Sequence, residues 1–278
     1  MHLTKIRLTI CGVLLCTLLL ASCGNSRSGA EWFDFTWAGL AGSDTLSFDG
    51  EASLVAGNQQ QAEGIVQYEG QLQNHKLLTM TTQYSDHSAV GQVGMASATD
   101  AAQQSHMEWR MGKWSLLSKP SDEQESHPVQ RINPLSQLEE IHQAKDKKIS
   151  LESMAARGTK VLRIELGATE AKAALQRELE SEMNQVLVNW EGQQQKIHLK
   201  ESSAQKTKRK EQAYAIWNEG KQKMEERLNT VKVKTTYHLT INSRSGLPQS
   251  ITSETHVSGT TGNAETMITN CRFHSYDK

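Results

Sequence analysis

The chain has 278 residues, with 30 lysines and arginines against 31 aspartates and glutamates, and only four cysteines. The balance near −1 argues against nucleic acid as a bulk electrostatic partner, and the cysteine count leaves no disulfide framework. A mean hydropathy of −0.57 argues for a soluble domain wherever the chain is not markedly apolar.

The marked exception comes first. Lys5 and Arg7 precede an apolar run over residues 8–20, which closes in Leu20-Ala21-Ser22-Cys23-Gly24. The run is short for a membrane-spanning helix, which needs about 20 apolar residues, and suits a signal peptide of residues 1–22. The closing motif is a lipobox: cleavage before Cys23 would leave it as a lipidated N-terminus, carrying acyl chains such as palmitate. An uncleaved anchor or an ordinary secretory signal is the simpler alternative. One acyl chain binds membranes marginally, whereas the two or more of a diacylglyceryl cysteine hold firmly. The expectation is a cell-membrane lipoprotein on the extracytoplasmic face. Loss of Lys5 and Arg7 takes the basic count to 28 against 31 acids, near −3. With Cys11 and Cys16 removed and Cys23 acylated, Cys271 remains alone, read as a small buried hydrophobe.

Residues 23–30 read as a lipidated tether and residues 31–278 as one domain. Leu46, Phe48, Ala52 and Leu54 alternate with polar residues, as do Val66, Tyr68 and Leu72. That period of two predicts strands with one apolar face. Leu78, Met80, Thr82 and Tyr84 predict a third strand, and Gly112-Lys113 turns a hairpin carrying Trp109 and Trp114. Residues 85–104 and 119–131 read as loops. Asn133-Pro134 starts a short helix, with asparagine as N-cap and proline behind it. A strand over residues 160–166 follows, and Thr169 caps a longer helix with Leu175, Leu179, Met183 and Val186 along one side. Residues 193–229 read as a basic helical insertion, densest over residues 196–210. It reads as a solvated helix face or as a contact for anionic headgroups or wall polymers. Beyond it, Ile216, Trp217, Met224 and Leu228 form a candidate helical stripe. Val231, Val233, Thr235, Tyr237, Leu239 and Ile241 then share one face of a strand, and two further strands follow.

The ten histidines lie in separate elements, and Cys271 with His274 supplies two donors where a zinc site needs three or four. No metal and no cofactor are expected. Phosphate-loop and serine-elbow motifs are missing. Glu139-Glu140 and Glu225-Glu226 read as surface charges, because helix neighbours point about 100° apart. An enzyme is not expected.

Three pieces carry a resemblance. Asn133-Pro134-Leu135-Ser136-Gln137-Leu138 opens a short helix; residues 159–166 lead from a strand into an amphipathic helix; and residues 237–242 with Ser245-Gly246-Leu247-Pro248 make a strand–turn–strand unit. Together they resemble the LolA-like half-barrel lipoproteins, a group with outer-membrane lipoprotein carriers, RseB-type sensors and the mycobacterial LppX and LprG lipid carriers. Lipoproteins of Bacillus- and Paenibacillus-type Gram-positive bacteria look especially similar. The resemblance implies an α+β fold, a curved antiparallel sheet with two to three helices on its concave side, and no shared catalytic residues. It implies a binder of a hydrophobic or amphiphilic ligand such as lipid; Leu175, Leu179 and Met183 from the longer helix, with Trp109 and Tyr237 from strands, are the candidates to line its cavity. The bland alternative for each is ordinary core. The competing function is an interaction or sensor module meeting another envelope protein. A large dry cavity under the helices would favour the first, and a filled centre with an exposed apolar patch the second.

Overall fold

A computed structural model describes residues 27–57, 64–85, 102–117, 129–196, 202–259 and 264–277. The signal segment, Cys23 and most of the tether lie outside the described residues, as do Lys200 and most of the two expected loops.

Ten strands form one antiparallel sheet. They are β1 (Thr45–Ala56), β2 (Gly64–Gln73), β3 (Leu77–Ser85), β4 (Gln103–Arg110), β5 (Lys113–Leu116), β6 (Lys147–Leu151), β7 (Thr159–Leu166), β8 (Lys232–Asn242), β9 (Pro248–Ser258) and β10 (Ala264–Asp277). The spatial order is β5-β4-β3-β2-β1-β10-β9-β8-β7-β6. Two five-strand meanders are thus joined at the centre by β1 and β10, Phe48 facing Phe273 and Ala52 facing Thr269. Among the described residues five helical segments accompany them: α1 (Gly29–Ala41), the single turn α2 (Val129–Ile132), α3 (Pro134–Gln143), α4 (Ala168–Lys196) and α5 (Ser203–Thr230). The fold is α+β, a curved open sheet with helices on one face.

Register explains which face the helices cover. Cross-strand partners share a face, so Phe48 with Gly70, Leu72 with Leu78, Leu162 with Leu239 and Leu239 with Ile251 extend one apolar surface across the sheet. Leu46, Phe48, Leu78, Met80, Met107, Leu162, Ile164, Leu239, Ile241 and Ile251 on it are at most 1% exposed. The intervening residues, among them Asp49, Gln67, Glu69, Thr252 and Arg272, face outward. Two glycines let aromatic rings lie flat on the strands. A Cβ on Gly70 would sit 2.3 Å from Phe48 Cζ, and one on Gly50 would sit 2.6 Å from the Tyr68 ring.

Helix α3 begins as expected: Asn133 Oδ1 accepts from Leu135 N at 3.0 Å, and Leu135, Leu138 and Ile141 are buried. Other boundaries differ. The tether ends early, because Ser28 and Glu31 close a capping box that starts α1 at Gly29. Phe33 and Thr36 of α1 are buried, and Trp37 stacks on His142 of α3 with centroids 4.2 Å apart. Helix α4 starts at Ala168, so Thr169 lies inside its first turn. From Ser203 the basic stretch is the helix α5, opened by a Ser202–Gln205 capping box, while Lys196 ends α4. Leu228 is its one buried residue, while Ile216 is 72% exposed and falls off the expected stripe.

Candidate functional site

Among the described residues, a small, partly enclosed cavity lies on the covered face, where α2, α3 and α4 meet β8, β9 and β10. Its volume is about 20 Å³, room for one water molecule. Strand alternation brings Thr235 and Tyr237 of β8, Ser253 and Thr255 of β9 and Met267 of β10 to it, and helical spacing brings Gln137 and Glu140 of α3 and Ala171, Ala174, Leu175 and Glu178 of α4. The wall is mostly polar. Tyr237 donates its hydroxyl to Glu140 Oε1 at 3.0 Å. Gln137 Nε2 donates to Thr269 Oγ1 at 3.2 Å and to the Arg131 carbonyl at 3.1 Å. Ser253 Oγ and Thr269 Oγ1 are 2.6 Å apart. Gln137 Oε1 is buried without a partner among the described residues. Arg131 grips Glu182 with both arms of its guanidinium, Nε donating to Oε1 at 2.8 Å and Nη2 to Oε2.

Electrostatics at the cavity follow from burial. Desolvation disfavours a charged carboxylate, and it pushes the Glu178 carboxyl up to about 8, with the nearby Glu140 adding to the rise and Arg131 and Arg177 opposing it. Glu140 is also raised, burial outweighing the hydrogen bond from Tyr237 and the pull of Arg177. Burial lifts the Tyr237 phenol well above its ordinary range. At neutral pH Glu178 is therefore chiefly a neutral carboxylic acid, able to donate as well as accept.

The expected ligand residues divide. Leu175 and Tyr237 meet at the cavity. Leu179 and Met183 lie further along α4 and do not line it; the Met183 carbonyl accepts from Trp217 Nε1 of α5 at 3.1 Å. Trp109 lies on β4, at the far half of the sheet, its ring 5.4 Å from that of Trp114. The centre is filled rather than hollow. Glu139-Glu140 is corrected in part: Glu139 takes a surface hydrogen bond from Gln143 at 2.6 Å, but Glu140 turns inward. Its position three residues after Gln137 and one before Ile141 places it on the buried stripe, a signal available in the spacing. Glu225 and Glu226 do lie at the surface, bonded to Lys221 and Gln222.

Cys271 is buried, and desolvation pushes its thiol far up. His274 pairs with Asp49 at 3.4 Å on the outer face, so the two do not converge. No cluster of three or more histidine, cysteine, aspartate or glutamate side chains is placed to hold a metal among the described residues.

A second and larger depression, about 760 Å³, lies open on the outer face. Asp49, Glu51, Gln67, Glu69, Asn270 and Arg272 line it, and Arg272 is tied to Asp49 at 2.8 Å. Its side chains are largely charged or amide, unlike the apolar lining expected for a lipid.

No family model matches the chain, and no curated protein matches it. Three solved structures give weak superpositions. Lipovitellin, in a study of lipid–protein interactions, aligns at 6% identity and a TM-score of 0.35, covering 84% of this chain and 25% of that one. This chain thus spans a quarter of lipovitellin's length. A domain from Vibrio parahaemolyticus, assigned to outer membrane lipoprotein sorting, aligns at 7% identity and a TM-score of 0.25, covering 89% and 94%. The tesB protein of Mycobacterium avium subsp. paratuberculosis aligns at 10% identity and a TM-score of 0.18, covering 88% and 85%. TM-scores of this size do not establish a shared fold.

Proposed function

We propose that this protein is a lipid-anchored, extracytoplasmic and non-catalytic binding module of the LolA-like half-barrel kind, which takes an amphiphile between the α4–α5 pair and the sheet. One observation carries the reading: the covering layer is thinly held. The two helices have 29 and 28 residues, yet only Ala171, Ala174 and Leu228 are buried among their described side chains. Helix α3, by contrast, buries five of its ten residues. At about 0.8 kcal/mol per buried CH₂, those three fully buried side chains contribute only a few kcal/mol, and the rest of the hold comes from half-buried contacts such as Leu175 and the Arg131–Glu182 bridge. The interface beneath α4 is polar around Gln137, Glu140 and Glu178, so its separation exposes groups that water can satisfy. Lifting α4 would open Leu175, Leu179 and Met183 to an acyl chain. Val233, Val257 and Met267 would offer the opposing apolar surface, and Arg131, Glu140 and Glu178 would meet a polar headgroup. The lipobox at Cys23 supports a place at the outer surface of the cell membrane.

The test is native mass spectrometry of the processed protein, isolated from the membrane of a Gram-positive host. The reading predicts acylation at Cys23 and a further amphiphile bound one to one, lost in Leu179→Arg. An acylated protein that carries no such molecule and takes up no added phosphatidylglycerol contradicts it. The filled centre favours one second reading, a surface for an envelope protein. Val186, Val188 and Ile216, at 57%, 52% and 72% exposure, would be its apolar contacts; crosslinking through α5 would then trap one defined partner.

A further inference from the structure

We infer that one end of the sheet, built around Trp32 and Phe35, is a docking face for an anionic membrane surface. The inference rests on the lipid-anchor reading and adds a defined orientation to it. Trp32 and Phe35 stand on α1 with ring centroids 5.9 Å apart, edge to face. The Arg27 guanidinium lies over both, 4.9 Å from the Trp32 centroid and 4.4 Å from that of Phe35. Lys160 Nζ at the start of β7 is 5.9 Å from the Trp32 ring. Phe35 also closes on Gly246, where a Cβ would come 2.8 Å from its Cδ1. Gly246 belongs to the β8–β9 turn, which carries Arg244. Ser243 of the same turn donates through N and Oγ to the Gly158 carbonyl, both at 2.9 Å, and so brings Arg157 of the β6–β7 loop alongside. Met154 of that loop is 92% exposed.

Four cations, two half-buried aromatic rings and an exposed methionine thus share one end of the molecule. Tryptophan with flanking arginine and lysine is the side-chain chemistry of a membrane–water interface, ring at the headgroup level and cations on the phosphates. Glu31 is occupied in the α1 capping box, and Asp34 is turned further round the helix. Chain length decides the occupant. Cys23 lies four residues before Arg27, and an extended chain spans at most about 3.6 Å per residue. An acylated Cys23 therefore holds Arg27 within about 14 Å of the bilayer, and this end is the part of the described domain that the anchor keeps there. The α4–α5 pair leaves the sheet elsewhere: α4 starts after the opposite end of β7 and crosses β8 towards β10.

The experiment uses the processed full chain reconstituted in vesicles of phosphatidylglycerol and phosphatidylethanolamine, with brominated lipids as tryptophan quenchers. Intact mass reports acylation separately. The expected result is quenching that falls clearly in Trp32→Phe and that weakens at high salt or in phosphatidylcholine vesicles. Full chain carrying Cys23→Ser, which has no acyl group, should bind the anionic vesicles weakly. Arg27→Glu, Lys160→Glu and Arg244→Glu should each reduce that binding roughly fivefold or more, with unchanged thermal unfolding as the folding control. Acylated protein whose quenching is the same in Trp32→Phe, or vesicle binding unmoved by the three charge reversals, would overturn the docking face and leave the anchor standing. A Cys23 found without acyl chains would overturn the anchor reading and this inference with it.

Discussion

Replacing Glu178 by glutamine removes a titrating proton from beneath α4, and the expected consequence is a change in how stability depends on pH. Burial, helped by Glu140, raises this carboxyl from 4.5 to about 8. Across that window the native state keeps a proton that the unfolded chain has released, so stability falls as pH rises from about 4.5 to about 8 and is level above. At about 1.4 kcal/mol per tenfold, the full difference is on the order of 5 kcal/mol. The side chain keeps some contact with water, which screens the effect, and a loss of roughly 2–3 kcal/mol is expected. For a domain of this size that is about 5–10 °C in Tm. Glutamine keeps the shape and is neutral throughout. Glu178→Gln should match the parent near pH 5, and unfold about 5–10 °C higher near pH 9. Thermal unfolding of both proteins at the two pH values cancels the other titrating groups. Parallel pH profiles would refute the buried carboxyl and the seating of α4 that buries it.

Other outcomes follow from packing. Gly70→Ala places a Cβ 2.3 Å from Phe48 Cζ, and the forced shift of a core ring should cost about 1–3 kcal/mol, read as a lower urea midpoint. Ile216→Lys, at a position 72% exposed, should change stability by less than about 0.5 kcal/mol; a larger loss would mean that α5 is covered. Cys271 in the processed protein should resist a thiol reagent under native conditions and react at once in denaturant, because its thiol is buried and held protonated.

Much of the sheet was legible in the sequence because its two faces differ so sharply. Strand β8 alternates Val233, Thr235, Tyr237, Leu239 and Ile241 against lysine, threonine, histidine and asparagine, and the register places that row on the covered face. Strand β6 gave no such signal: Lys147-Lys148-Ile149-Ser150-Leu151 is a short, charged edge, which suits an edge and hides a strand. Helix α1 was missed because Trp32, Phe33, Phe35 and Trp37 fall on several sides of it, so no single stripe stands out. Helix α5 owes little to an apolar face. Its capping box and the Lys221–Glu225 and Lys223–Glu219 pairs at i,i+4 support it instead. The cavity was half legible. Apolar spacing points to Leu175 and Tyr237, whereas Glu140 reads as a surface charge and Glu178, Gln137 and Arg131 carry no site signal, because charged and amide side chains default to the surface. Only three-dimensional neighbours reveal that these four close a shared polar pocket.

The most direct test of the central claim is native-state hydrogen exchange of the processed protein, resolved by segment. A covering layer that lifts requires residues 168–230 to exchange as one unit, through an opening several kcal/mol below global unfolding, while amides of β8, β9 and β10 stay protected to the global limit. That is the predicted result. Exchange of α4 only with the whole domain would contradict it, because a helix pair that never leaves the sheet cannot admit a ligand beneath it.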